Sequence, residues 1–567
     1  KHPYNLNHVK DEPKYIKTIE KFDIMMDKLE TLSSNDYLAF DTETKDLSVL
    51  HNSIYTIQFT SSKDPLVGYV LPIRHPMTPF DAEDIKYIEN RLHNFFSQKK
   101  DTPILITFNG MYDLRVIRQQ FKIPIIWNKV WEITAGEHLL DENAAELHQV
   151  GPAMGGLLSI YSSYGNDHYL TAKFSKGERT TIGSVNPSDK EFLKYASTDT
   201  VSIMHIMAQQ KKRASHVDVD GKNYRKPFER HMLNMMSDTA HQLSHLRADG
   251  SLVDKTYLRY LLSASSLLKE EIAKVEAKLR KSEAAIAANA ALLKASGMKG
   301  KSLFGKSTEQ WILKLSKGSH KIQLFYETLG LEVVSTTATG EPAVDKTFIK
   351  TYKDKYPEVQ ILDEWSKLTK LRGTYVKGWY KKLTSNSDSI KDGYLRPEYA
   401  FWNVSTGRLG SKNPSLQTIP NRNKLAKIIK RMFIAPKGCL LIRYDYSAHE
   451  VRGWSLVSGD KVLANAFKAG QELRKKLIKN PTDEIRKELK TKGDIHIQNV
   501  FRFFRKWVDK DDPLRDAIKQ IIFGLLYGMT AKTLGTNISP TRARLRSLKT
   551  RRNEIIAEIK KLEELID

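Results

Sequence analysis

The stretch RDAIKQIIFGLLYG, residues 515–528, decides how this chain is read. Arg515, Lys519, Phe523 and Tyr527 recur every four residues. On a helix of about 3.6 residues per turn each step advances about 400°, so the four side chains form one slowly drifting stripe. Two cations followed by two aromatics along one face match a nucleoside triphosphate laid along it, phosphates at the cations and base at the aromatics. A plain core-facing helix would not keep Arg and Lys in register with aromatic residues. Gly524 and Gly528 stand beside the aromatics. Each costs about 1 kcal/mol in a helix interior, which close approach of a base or a backbone would explain.

Two further segments precede the stripe, STGRLG (405–410) and YDYSAHEVR (444–452). Apolar residues at 439–444 predict a strand ending at Asp445, followed by a turn and Glu450. A carboxylate there can meet a metal-bound triphosphate. It can also be an ordinary helix N-cap. The stripe downstream weighs for the first.

A second acidic constellation lies near the start. Asp41 and Glu43 end a predicted strand at 37–41. Residues i and i+2 of a strand point to one face, where two carboxylates repel unless a cation sits between them. A predicted strand at 104–108 runs into NGMYD (109–113), which places Asp113 at a strand-to-helix junction. Tyr195 and Asp199 are i, i+4 on a predicted helix at 191–207 and share a face. Hard oxygen ligands on rigid elements suit two Mg²⁺ or Mn²⁺ ions about 3.5–4 Å apart, which clamp the attacking and leaving oxygens of a phosphodiester. A tyrosine beside them can orient the attacking water.

Composition narrows the class. The chain has 567 residues, enough for three or four domains, and 40% hydrophobic content, which excludes global disorder. Lys and Arg exceed Asp and Glu by 25, a surplus that favours a polyanionic partner through counterion release. No apolar run reaches the roughly 18 residues of a membrane span. The single cysteine, Cys439, excludes an internal disulfide and fits a reducing compartment. The chain opens on Lys1 rather than Met, so its numbering is expected to start inside a longer product.

Along the chain, residues 1–36 read as a polar lead-in with one amphipathic helix at 15–32. An α/β region follows to about 207, with further strands at 54–60 and 66–71. Residues 228–295 read as nearly all helix, with a long exposed hairpin at 266–295. The Gly/Lys loop at 297–306 fits either a phosphate backbone or a solvated turn. Residues 308–385 are mostly helical and 395–445 extended. Helices dominate from 455, with a charged helical run at 471–492 broken at Asn480-Pro481.

The N-terminal pattern DTE (41–43), NGMYD (109–113) and YASTD (195–199) resembles the 3′→5′ proofreading exonucleases of the ribonuclease-H-like superfamily. By that resemblance Asp41, Glu43, Asp113 and Asp199 bind metals and Tyr195 positions water. The segments KLTKLRGTYV (367–376), TGRLGSKNPSLQTIPNR (406–422), RYDYSAHEVRG (443–453), GDIH (493–496) and RDAIKQIIFGLLYG (515–528) closely resemble family A DNA polymerases, the bacterial DNA polymerase I and phage replicase family. The resemblance implies a multidomain α/β and α fold: a lead-in (1–36), a ribonuclease-H-like exonuclease domain (37–207), thumb and palm-entry helices (208–390), palm (391–455) and incomplete fingers of a right-hand polymerase (456–567). It implies that Asp445 and the Tyr446 carbonyl hold two divalent ions, that Glu450 excludes ribonucleotides, and that Arg515 and His496 contact the β- and γ-phosphates. Lys519 would contact the α-phosphate and protonate pyrophosphate. Phe523 with Gly524 would pack on the incoming nucleotide, Tyr527 would stack near the templating base, and Arg408 and Gln417 would read the minor groove. The implied partners are primer-template DNA and dNTPs, in the cytoplasm of a bacterial host if phage-encoded. The sequence departs from the family at Ala448-His449, at Gly410 and in the insert 471–492.

The family's H-D-E motif, which carries the second metal-bridging carboxylate, is absent after Gly528. The chain alone is therefore expected not to polymerise. Leu545, Leu548, Ile555, Ile559, Leu562 and Ile566 form a heptad-like stripe. It reads equally as one arm of a fingers helix pair whose return arm and H-D-E motif lie in unseen C-terminal sequence, or as a docking helix for a second polymerase subunit that carries the H-D-E motif. Two other readings stay open: a stand-alone 3′→5′ exonuclease with a DNA-holding module, and a non-catalytic DNA-binding subunit.

Overall fold

The computed structural model describes residues 13–46, 48, 50, 52–141, 182–216, 221–263, 265–296, 310–385, 392–400, 404, 406–419, 424–446, 448–510 and 512–530. The Gly/Lys loop and the stripe at 545–566 lie outside them. The chain divides into two compact units, Lys1–Leu440 and Leu441–Asp567, described in turn. The division falls inside the segment read as palm.

In the first unit, alternating and continuous apolar runs form a six-stranded sheet in the order β1-β4-β3-β2-β5-β6. Its strands are β1 (Lys14–Tyr15), β2 (Tyr37–Thr44), β3 (Ile54–Ser61), β4 (Asp64–Pro72), β5 (Ile104–Thr107) and β6 (Val130–Glu132). The pairs β2–β3 and β3–β4 are antiparallel, whereas β2–β5, β5–β6 and β1–β4 pair in parallel. Helices α1 (Ile19–Glu30), α2 (Ala82–Ser97), α3 (Met111–Gln120), α4 (Ile133–Leu140) and α5 (Lys190–Arg213) accompany the sheet. The supposed lead-in is part of this structure. Thr18 caps α1, four apolar residues of α1 (Phe22, Met25, Met26, Leu29) are buried, and Lys14–Tyr15 extends the sheet edge. A strand as short as two residues carries no periodicity that a sequence can display.

Helix α5 lies close on the sheet because the residues between them are small. Ser197 and Thr200 are fully buried, and the Thr200 hydroxyl is 2.8 Å from that of Thr60 on β3. A Cβ at Gly68 on β4 would stand 2.2 Å from Ser197 Oγ and 2.8 Å from its Cα.

The rest of this unit is mostly helical. Residues 266–295 form two helices, α6 (Leu267–Leu279) and α7 (Glu283–Ala295), separated at the Ser282 cap. The expected exposed hairpin is instead anchored. Leu268, Ile272, Val275 and Leu279 are buried at helical spacing, and α6 packs on α8 (Pro357–Lys370). After α8 the chain widens into a π-helical turn, Leu371–Lys377, whose Tyr375 hydroxyl donates to the Thr418 carbonyl. A short hairpin, β7 (Glu398–Ala400) with β8 (Gly410–Lys412), precedes that contact.

In the second unit, residues 441–446 are exposed and without regular secondary structure rather than a sheet strand. Leu441 is 68% exposed, Ile442 69% and Tyr444 88%. Apolar composition predicts a strand, but a strand needs a neighbour for its N–H and C=O groups, and none pairs here among the described residues. Five helices follow: α9 (His449–Ser458), α10 (Lys461–Lys479), α11 (Asp483–Lys492), α12 (Ile495–Phe504) and α13 (Pro513–Leu526). The insert is the α10–α11 pair, broken at Asn480-Pro481 as its sequence predicts and restarted by the Thr482 cap. Ile497, Val500, Val508, Leu514 and Ile518 form the apolar contact between α12 and α13.

Gly68→Ala is expected to destabilise the first unit by about 1–3 kcal/mol, because the new methyl meets backbone of α5 and not a flexible tip. Denaturant unfolding of this variant against the parent checks it.

Candidate active sites

Strand β2 holds Asp41 and Glu43 two residues apart, opposite Gln58 and Thr56 of β3. Helix α5 brings Asp199 to them. One carboxylate oxygen from each of Asp41, Glu43 and Asp199 lies within 4.8 Å of the others. Tyr195, one turn before Asp199, donates its hydroxyl to Glu43 Oε1 at 2.7 Å. Asp113, in the first turn of α3, is not one of the three but stands beside them, accepting from the Thr42 hydroxyl.

Withdrawal from solvent raises the Asp199 carboxyl well above the ordinary range, and the negative charges of Asp41 and Glu43 add to it. Asp113 is raised in the same way, first by burial and then by Asp41. The Tyr195 phenol is also raised, chiefly by burial and then by Glu43. The charged groups acting on Asp199 are all carboxylates: Asp41, Glu43 and Asp113. Hard oxygen donors crowded this closely fit a divalent cation, which replaces their repulsion with attraction.

Two supporting residues were not singled out in the sequence. Thr42 lies between the two β2 carboxylates and faces away from them, as strand alternation requires, which takes its hydroxyl to Asp113. Glu132, at the end of β6, is fully buried. It accepts from the Asn109 N–H at 2.6 Å and the Ala135 N–H at 2.8 Å. Burial pushes its carboxyl up to about 7 against the pull of those donors. It thereby ties the residues that start α3, and with them Asp113, to the sheet.

In the second unit Asp445 and Tyr446 lie in the exposed irregular segment, and Glu450 stands in the first turn of α9 after Ala448 in a left-handed conformation (φ 52°). Helix α13 carries the predicted stripe in part. Leu514 and Ile518 face the core, leaving Arg515, Lys519 and Phe523 half-buried alongside. Lys519 Nζ is 5.8 Å from the centre of the Phe523 ring, and the His496 ring of α12 is 6.1 Å from it. Burial lowers the His496 imidazole to about 4, so it is neutral near pH 7.

Gly528 has a different cause from the one expected. Gly528 lies beyond the helix at φ 75°, with its N–H on the Leu525 carbonyl and the Met529 N–H on the Gly524 carbonyl. That is a Schellman stop, which favours glycine for its left-handed backbone. A Cβ at Gly524 would stand 1.6 Å from Met529 Cε, the movable end of a side chain folded back over the helix end. Tyr527 is consequently the C-cap, 60% exposed, and not on the helix proper. Arg408 and Gln417 belong to the first unit, where both are exposed next to the hairpin β7–β8.

Comparison with known proteins finds two family likenesses along the chain. Residues 13–213 match the family model described as 3'-5' exonuclease, and residues 312–562 that described as DNA polymerase family A. A thermostable DNA polymerase I of Thermus thermophilus is 31% identical over 219 residues, which cover 38% of this chain and 23% of that protein. DNA polymerase I of Deinococcus radiodurans is 30% identical over 203 residues, 36% of this chain and 18% of the relative. The matched stretch thus spans less than a quarter of these relatives. The solved POL domain of Pol1 from M. smegmatis, in complex with DNA primer-template and dNTP, aligns over 93% of this chain and 73% of its own. Its TM-score is 0.58 at 17% identity, a likeness of fold. Two family likenesses therefore meet in one chain, to DNA polymerase family A over residues 312–562 and to 3'-5' exonucleases over residues 13–213.

Proposed function

We propose that the chain is a DNA-directed DNA polymerase with a proofreading 3′→5′ exonuclease, acting on primer-template DNA with dNTPs. The observation that carries the exonuclease is the Asp41, Glu43 and Asp199 cluster with Tyr195 bonded to Glu43. Asp41, Glu43 and Asp199, with Asp113 adjoining, would hold Mg²⁺ or Mn²⁺, two per site. When bound, such ions offset charge on the attacking and leaving oxygens of a phosphodiester. Tyr195 spends its proton on Glu43, so its oxygen is left to accept from a water and orient it. The excess of 25 positive charges favours the phosphate backbone.

At the polymerase site, Asp445 and the Tyr446 carbonyl would hold the metals and Glu450 would close the space under the sugar. His496 and Arg515 would meet the outer phosphates and Lys519 the α-phosphate. Phe523 would pack on the nucleotide, with Tyr527 near the template and Arg408 and Gln417 in the minor groove. One carboxylate is a poor holder of two divalent ions. We place the second on a strand that bears the H-D-E motif, supplied by a second polymerase subunit or by further C-terminal sequence. The support is the irregular segment 441–446, which exposes Leu441, Ile442 and Tyr444 beside Asp445.

Asp41→Ala with Glu43→Ala is expected to lower degradation of single-stranded DNA by at least about a thousandfold while leaving DNA binding intact. A gel assay with Mg²⁺ reads the first and a filter assay the second. Persistent digestion by the double variant would refute the assignment. For the polymerase, the purified chain alone should extend a primer-template poorly. Once completed by the second subunit it should extend well, and Lys519→Ala should then reduce the rate by about 100-fold or more. Robust extension by the chain alone would contradict the two-part site.

A further inference from the structure

Asp494 bonds to both helices of the nucleotide face. Its Oδ1 accepts from the backbone N–H of His496 at 2.9 Å and of Ile497 at 3.3 Å, capping α12. Its Oδ2 accepts from Arg515 Nε at 3.0 Å and Nη2 at 2.7 Å, reaching α13. The two side chains are only 19% and 14% exposed. Burial raises the Asp494 carboxyl, but the Arg515 bonds outweigh it and its pKa is lowered.

A guanidinium can grip an oxyanion by either of two edges, the side edge Nε–Nη2 or the end edge Nη1–Nη2. Asp494 occupies the side edge. At the end edge the carboxylate of Asp516 is 3.9 Å from Nη1, beyond hydrogen-bond range. Next to this pair the His496 ring is 5% exposed and its Nδ1 has no hydrogen-bond partner. The same carboxylate therefore sets the start of the helix that carries His496 and the attitude of the arginine beside it.

We infer that Asp494 is a positioning residue for triphosphate binding: it holds Arg515 by the side edge and so presents the end edge to a phosphate next to His496. The inference rests on reading α13 as the nucleoside triphosphate site. A carboxylate near a polyanion also repels it. The proposal is that the orientation it gives Arg515 outweighs that repulsion. Both Arg515 edges can be filled at once, so Asp494 does not have to leave when phosphate arrives.

The test is equilibrium binding of Mg²⁺–dATP to the full chain and its variants. Asp494→Asn keeps a competent N-cap but removes the charge that holds Arg515. It should weaken binding roughly tenfold, about 1.4 kcal/mol. Arg515→Ala should weaken binding at least as much, and adding Asp494→Asn to it should cost little more. Arg515→Lys, which keeps the charge and loses the fork, should likewise become insensitive to Asp494→Asn. Unchanged or tighter binding by Asp494→Asn overturns the proposal, because the carboxylate is then inert or a competitor. An equal further loss in the Arg515→Ala background also overturns it, since the effect would then be structural. Lys519→Ala separates the two levels. If it binds as the parent does, the nucleotide reading falls and the inference with it. If it loses affinity while Asp494→Asn does not, only the inference falls.

Discussion

Mutual repulsion among half-buried carboxylates is the constraint around which the first unit is arranged. Asp41, Glu43 and Asp199 share less than 5 Å, and Asp113 adds a fourth negative group beside them. Charges withdrawn from water cost several kcal/mol each unless paired, so nothing in the local energetics gathers these residues. The surrounding fold does so by force of geometry. A strand pins two of them at a fixed spacing. A helix seated on Gly68, Ser197 and Thr200 delivers the third. Glu132 and Thr42 fix the residue that completes the group. The stored repulsion becomes attraction once a divalent cation enters, so stability and function pull in opposite directions until then.

The second unit handles charge in the reverse way. Its cation, Arg515, is paired with Asp494, and its imidazole, His496, is buried and neutral. A site for a highly charged anion is thus kept close to neutral by internal partners. This limits self-repulsion between Arg515 and Lys519 on one helix face. The exposed apolar segment before Asp445 is the contrasting case, with hydrophobic side chains in water and backbone groups without a ladder.

The exonuclease site was legible because its signals are local. The two-residue period of β2 and the four-residue spacing of Tyr195 and Asp199 translate directly into shared faces. The α10–α11 break was legible from Asn480-Pro481 for the same reason. What failed depended on distant partners. Lys14–Tyr15 is a strand only because β4 lies beside it, and 441–446 is not one because no neighbour pairs with it among the described residues. Gly528 was attributed to the close approach of a base or a backbone because the helix stop it makes cannot be seen in a pattern of types. The hold of Asp494 on Arg515 spans 21 residues and leaves no periodic trace.

The central claim, that the carboxylate cluster is strained until a cation enters, is tested most directly by calorimetry. Mn²⁺ is titrated into the chain near pH 7 in two buffers of different ionisation enthalpy. Burial and neighbouring carboxylates raise the proton affinities of Asp113 and Asp199, so any proton that relieves the repulsion in the metal-free protein leaves as metal binds. The account predicts net proton release on binding, lost when Asp41 and Glu43 are both replaced by Ala. Absence of saturable binding, or binding with no proton release in the parent chain, would contradict it.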